Sequence, residues 1–215
     1  MPCTFRLPAR LPLVALTLDD GPDPSTTPAI LDVLARHDAH ATFFVIAERV
    51  AGCEALVREI VARGHELGNH LTRDEPSWRL SPSAFERELV AAQRALERFA
   101  PVRWARPGGG WYTPRMLATM ERHGLRCALG TVHPFDAHLP SARLAALTVS
   151  RLARPGRIVV LHDGGARGRR TAHALDRALP RLRGNGYRVE TLSGVEREAA
   201  PPPEARDAPA ARGAP

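Results

Sequence analysis

Lysine is absent. All 30 basic residues are Arg, which removes Schiff-base chemistry, an anchor for pyridoxal phosphate and the lysine of a P-loop. Cysteine is scarce: Cys3, Cys53 and Cys127 are odd in number and form no C-x-x-C, so neither a zinc ribbon nor a disulfide framework is implied. No apolar run approaches the roughly 20 residues of a spanning helix, and no G-x-S-x-G elbow marks a serine hydrolase. The opening stretch, MPCTFRLPARLPLVALTL, carries Arg and Pro before its apolar run and has no small-residue cleavage site. It reads as a lead-in and first strand instead of a signal peptide, so the expected location is cytoplasmic unless truncation has removed an export signal.

The net charge of +7 invites a nucleic-acid reading, but the Arg are dispersed and the densest cluster is only RGRR at 167–170. Specific nucleic-acid recognition is not expected. With 215 residues and 44% hydrophobic content, the chain suits one domain with a real core. Apolar runs that read as strands alternate with segments of helical period. The strands are LVALTL (13–18), ATFFVI (41–46), HELGNH (65–70), VRWA (102–105), LRCALGT (125–131), RIVVLH (157–162) and YRVETL (187–192). Helices are expected from about 25 to 37, over 53–64, from Ser81-Pro82 to about 99, from Thr113-Pro114 to Gly124, and near 141–153 and 171–183. This alternation predicts an α/β fold of about seven parallel strands. Residues 1–12 form a lead-in and 13–198 the domain. The Pro- and Ala-rich 199–215 reads as a disordered tail. Oligomeric state is not legible.

Polar residues collect immediately after the strands. Asp19 and Asp20 follow the first, and His70 with Asp74 the third. Arg106 and a Gly-rich turn follow the fourth, His133 and Asp136 the fifth, and His162 and Asp163 the sixth. In α/β barrels the strand C-termini converge on one face, where the active site lies. Two carboxylates directly after a strand exceed what turn chemistry requires of Asp-Gly-Pro. The i, i+4 spacing of His70 and Asp74 fits a surface pair on a helix or two ligands of one metal. His133 and His138 read as loop histidines.

TLDDGPD, GHELGNHLTRD, RPGGG and VVLHD, in this order, resemble the motif series of NodB-type polysaccharide deacetylases, carbohydrate esterase family 4-like. The likeness runs from about Leu13 to Leu192. It implies a single-domain distorted (β/α) barrel with the active site at the strand C-terminal ends, and metal-dependent removal of acetyl groups from N-acetylated carbohydrate such as chitooligosaccharide or peptidoglycan. By resemblance, Asp19 is the general base. Asp20, His70 and Asp74 hold one divalent ion, with zinc expected first and manganese, cobalt or nickel as alternatives. Arg106 helps keep the carboxylates ionised, His162 is the general acid and Asp136 orients it. Pro107 and Gly109 line the oxyanion and substrate position, with the Gly109 N–H as donor.

Three positions depart from the family pattern. Asp74 stands where a second His is usual, Gly109 where an aromatic is usual, and HPFDA retains only the second Asp, Asp136, of the usual Asp-x-x-Asp-Trp. The substrate pocket is therefore expected to be remodelled around an intact catalytic core. Two rival functions follow: a related C–N hydrolase acting on a small N-acyl or cyclic amide, and a catalytically inactive binding protein.

Overall fold

The computed structural model describes residues 2–134 and 141–199. Its sheet holds seven strands: β1 (Leu13–Gly21), β2 (Thr42–Val45), β3 (Glu66–Asn69), β4 (Trp104–Ala105), β5 (Arg126–Cys127), β6 (Ile158–His162) and β7 (Arg188–Glu190). They are connected by α1 (Thr27–Arg36), α2 (Glu54–Ala62), α3 (Pro82–Leu96), α4 (Pro114–Arg122), α5 (Ala142–Leu152) and α6 (Gly165–Gly184), and α7 (Leu192–Ala199) follows the last strand. The strands run parallel in the order β5-β4-β3-β2-β1-β6, and β7 pairs with the first half of β1. Beyond β5 the chain crosses to β6, where the Val132 N–H donates to the Ile158 carbonyl at 3.1 Å and the Val160 N–H to the Val132 carbonyl at 3.0 Å. That crossing curls the sheet into the distorted barrel the family resemblance implied.

Every residue of β1 is buried, as a central parallel strand covered on both faces requires. Helix α1 covers one face by burying Ile30, Leu31, Val33 and Leu34, each Leu or Ile contributing about 1.5–3 kcal/mol on removal from water. The expected helix starts at Ser81-Pro82 and Thr113-Pro114 are capped as their chemistry dictates. Ser81 Oγ accepts the Ala84 N–H and Thr113 Oγ1 the Met116 N–H, both at 3.2 Å.

The strand readings differ from the structure mainly in length. β4 and β5 keep two residues each. After Cys127 the chain is diverted to the lead-in, with the Thr4 N–H donating to the Cys127 carbonyl and the Leu129 N–H to the Thr4 carbonyl, both at 2.8 Å. Leu7 of the lead-in is buried beside Trp104 and Ile158 in the smaller of two core clusters. The run 187–192 stops at Glu190 because Leu192 opens α7. Helix α6 begins at Gly165, earlier than its apolar period, where the Gly165 N–H donates to Asp23 Oδ2 at 2.6 Å and so gains a partner for a first-turn donor. Among the described residues no helix is long and apolar enough to cross a membrane. Asp136, His138 and all of the predicted tail beyond Ala199 lie outside the described residues.

Candidate active site

Successive side chains of a regular strand point to opposite faces, so Asp19 and Asp20 in one site require a break in β1. It is present. Asp19 pairs in register with Phe44 of β2 and His162 of β6, and the pairing with β2 then skips to Gly21. Asp20, at the skip, has φ 73, a left-handed conformation that Asp adopts more readily than most residues. Arg49 Nη1 donates to the Asp20 carbonyl and pins the bulge. The Asp163 N–H donates to the Asp19 carbonyl at 2.7 Å.

Asp19 and Thr17, two apart on the same face, share one guanidinium. Arg106 Nη1 stands 2.5 Å from Asp19 Oδ1 and 2.8 Å from Thr17 Oγ1, and Arg106 Nε donates to the Ala128 carbonyl at 2.8 Å. Arg106 is 2% exposed and its Cζ lies 4.1 Å from the centre of the Phe44 ring. A counter-charge so placed offsets the cost of burying the carboxylate.

His70 Nδ1 lies 2.7 Å from the Arg106 carbonyl, which can only accept, so Nδ1 carries a proton. Nε2 then faces Asp20 Oδ1 at 3.4 Å. Two acceptors so placed need a proton or a cation between them. Burial would raise the Asp20 carboxyl, but the hydrogen bond with His70 and the charges of His70, His162 and Arg167 outweigh it and bring it down to about 2. Burial would lower His70, but the Asp20 hydrogen bond and the charges of Asp19 and Asp20 hold it above the ordinary imidazole range. The donor set fits a divalent ion: a backbone-anchored imidazole and an ionised carboxylate, 3.4 Å apart, match neighbouring ligands about 2.1 Å from a tetrahedral centre.

Asp74 does not join them. Residues 70–76 are irregular, with Leu71 at φ 66, so the helical spacing expected of His70 and Asp74 is absent. The left-handed turn at Leu71 carries the chain outward, and the half-exposed Asp74 accepts from Arg49 Nη2 at 2.8 Å. Among the described residues no three His, Cys, Asp or Glu side chains converge as a metal site would require. Asp74 still lines the same cavity of about 500 Å³ as Asp19, Asp20, His70, Arg106 and His162. The floor of that cavity on the β4 side is a 3-10 turn, Gly108–Gly110, in which the Pro107 carbonyl accepts the Gly110 N–H at 3.2 Å and Gly109 has φ 72.

Four contributors are given no role by the motif reading. Arg49 and Arg167, whose Nη1 lies 3.1 Å from Asp20 Oδ2, are indistinguishable in sequence from the other Arg. Thr17 has a signal, being the one hydroxyl in LVALTL. Asp163 is fully buried and accepts from Thr26 Oγ1 at 2.8 Å and from Thr27 Oγ1, which ties the end of β6 to the start of α1. Burial raises its carboxyl to about 6 against the two threonine hydrogen bonds.

A paired acid at the end of β1, an anchored imidazole after β3 and a second His at the end of β6 form one polar site at the strand ends of a parallel barrel, the arrangement of the barrel class of hydrolases. The model of the polysaccharide deacetylase family matches residues 8–128, and the chain belongs to that family. It is 34% identical over 198 residues to a peptidoglycan-N-acetylglucosamine deacetylase of Bacillus cereus, covering 90% of this chain and 92% of the relative. It is 36% identical over 193 residues to a chitooligosaccharide deacetylase of Bradyrhizobium sp., covering 83% and 88%. The crystal structure of a peptidoglycan N-acetylglucosamine deacetylase superposes with TM-score 0.84 at 28% identity, covering 90% of this chain and 92% of that one. A family 4 acetyl xylan esterase from Clostridium thermocellum, in complex with a cobalt ion, superposes with TM-score 0.78 at 30% identity, covering 85% and 89%. The chain is accordingly a hydrolase of the chitooligosaccharide and peptidoglycan deacetylase type.

Proposed function

We propose that the protein is a metal-dependent N-deacetylase of N-acetylglucosamine-containing oligosaccharides. The observation that carries this is the meeting, in one cavity, of the His70–Asp20 pair, the Arg106-bound Asp19 and His162. Asp20 and His70 would hold the ion, with Asp74 completing the set once Arg49 releases it. Zinc suits the imidazole, and carboxylates in two of three positions also admit manganese, cobalt or nickel. When bound, a divalent ion polarises the acetyl carbonyl and acidifies water. Asp19, fixed by Arg106, takes the proton of the attacking water. His162, at the end of the neighbouring strand, gives a proton to the departing amine. The Gly109 N–H is the oxyanion donor of the Gly-rich turn. The buried Arg106 guanidinium is the counter-charge that holds the Asp19 carboxylate in place.

The test is hydrolysis with and without a chelator, read as acetate release from chitooligosaccharides, peptidoglycan fragments and acetylxylan, and as loss of the amide bond for small N-acyl or cyclic amides. Release from the N-acetylated sugars, abolished by chelation and restored by zinc, is the expected result. Turnover of the small amides alone would replace the substrate assignment, and no release from any of them by the metal-loaded protein would make this a binding protein.

A further inference from the structure

The Arg are dispersed along the chain, but the acids are not. Residues 141–184 hold ten Arg against two acids, Asp163 and Asp176, whereas the remainder holds twenty Arg against twenty-one acids. A bias toward Arg in place of Lys does not explain where the acids are missing. Of the two acids, Asp163 is fully buried, and Asp176 pairs with Arg36 of α1 at 2.8 Å. Residues 141–184 contain α5, β6 and α6, and the two helices pack side by side. Arg143, Arg151 and Arg154, on and just after α5, and Arg169, Arg177 and Arg181 of α6 are all exposed. Among the described residues none of these six is ion-paired, whereas Arg63, Arg73, Arg122 and Arg126, elsewhere on the surface, each hold a carboxylate. Helix stability does not account for them. Neither helix has an acid in its first turn, where the macrodipole favours one, and Arg143 stands there instead. Arg177 and Arg181, four apart on α6, repel one another. Among the Arg stand two apolar side chains, Leu144 and Leu152 of α5, each 42% exposed.

We propose that the α5–α6 face docks the protein on a bilayer of anionic phospholipid. Arg169, His173, Arg177 and Arg181 recur at every fourth residue and share one side of α6, in a stripe about 18 Å long. Arg143 and Arg151 lie on the helix beside it. Guanidiniums interspersed with exposed leucines match the two layers of a bilayer surface. The guanidiniums meet lipid phosphates, each adding about fivefold to binding, and Leu144 and Leu152 enter the acyl boundary beneath the headgroups. A nucleic acid would match the Arg but not the leucines, and neither helix carries an aromatic ring on which a base could stack. The stripe begins two residues beyond Arg167, which lines the catalytic cavity, so docking holds the cavity near the lipid surface. Docking requires neither metal nor turnover and is independent of the deacetylase reading.

Sedimentation of the full chain with lipid vesicles tests this. Vesicles of phosphatidylcholine mixed with phosphatidylglycerol should carry the protein down, and vesicles of phosphatidylcholine alone should not. Added salt should release it, because exposed charges are screened. Arg169→Gln, Arg177→Gln and Arg181→Gln combined should weaken binding about a hundredfold, at about fivefold for each charge. That variant should melt close to wild type, since only exposed side chains change and the Arg177–Arg181 repulsion is gone, so lost binding is separable from lost folding. Leu144→Ser with Leu152→Ser keeps every charge and should weaken binding about tenfold. Equal binding to neutral and anionic vesicles, or no binding to either, overturns the docking face, and so does a leucine variant that binds as well as wild type. Retention on immobilised polyphosphate without binding to the anionic vesicles makes the face a polyanion site and overturns it too.

Discussion

Asp163 offers the sharpest quantitative test of how the site is held. Its carboxyl is fully buried between the Thr26 and Thr27 hydroxyls, and a Cβ added at Gly21 would stand 2.7 Å from Oδ2. Burial raises it from an ordinary 3.8 to about 6. The folded chain therefore binds this proton more tightly than the unfolded chain. Where the folded state holds more protons, stability falls as pH rises. The penalty is absent below the unfolded value of 3.8 and fully present above about 6. That gap, at about 1.4 kcal/mol for each tenfold change in proton affinity, amounts to about 3 kcal/mol. His65 acts in the opposite sense. Burial and the charges of His40 and Arg63 lower it from 6.5 to about 4, so its neutral form adds stability as pH rises through that window. The two terms oppose one another, so a pH profile of the wild type alone would not isolate Asp163. Asp163→Asn separates them. Its lost or altered hydrogen bonds cost the same at every pH, whereas the charge penalty disappears. Urea unfolding of wild type and variant in chelator, at intervals from about pH 4 to about pH 7, should show the variant gaining on the wild type by about 3 kcal/mol across the range. A difference that stays constant, or that favours the wild type as pH rises, would refute a buried Asp163 with a raised proton affinity.

Three further outcomes follow from the site and its surroundings. Asp19→Asn and His162→Ala should each cost on the order of 10²–10⁴ in kcat while leaving metal content by elemental analysis unchanged; wild-type turnover without His162 would remove it as the acid. Asp74→Ala should weaken zinc binding about tenfold and Arg49→Ala should strengthen it, because Arg49 Nη2 holds the Asp74 carboxylate at 2.8 Å; equal affinity in Asp74→Ala would strike Asp74 from the ligand set. The Cys3 and Cys127 sulfurs stand 2.9 Å apart across 124 residues of chain, so oxidised glutathione should join them, releasing two glutathione thiols, and stabilise the fold by about 4–5 kcal/mol. Thiol titration of the denatured product should then find Cys53 alone, and a product with all three thiols free would rule the link out.

Much of this molecule was legible in one dimension, because its signals are local. The apolar run of β1 and the Asp-Asp pair ending it, the Ser-Pro and Thr-Pro helix starts, and the polar residues following five of the strands all lie within a few residues of the element they mark. Parallel α/β connectivity then forces the strand ends together, so Asp19, His70, Arg106 and His162 share a cavity as expected. The motif series carried the family by the same local route. What remained hidden depends on partners far away in the chain. Spacing alone placed Asp74 beside His70, but the left-handed turn at Leu71 and the reach of Arg49, 25 residues away, took it to a different partner. Apart from Arg106, which its place in RPGGG marks, the 30 Arg are alike in sequence, and only packing distinguishes Arg49 and Arg167, which touch Asp20. Nor does composition reveal that Trp78 fills the space over Gly109, that Thr26 and Thr27 close on Asp163, or that an odd set of three cysteines contains a touching pair. Pattern determined which elements form and which ends carry chemistry; the tertiary fold decided which charges meet, because a side chain's partner is set by distance in space and not along the chain.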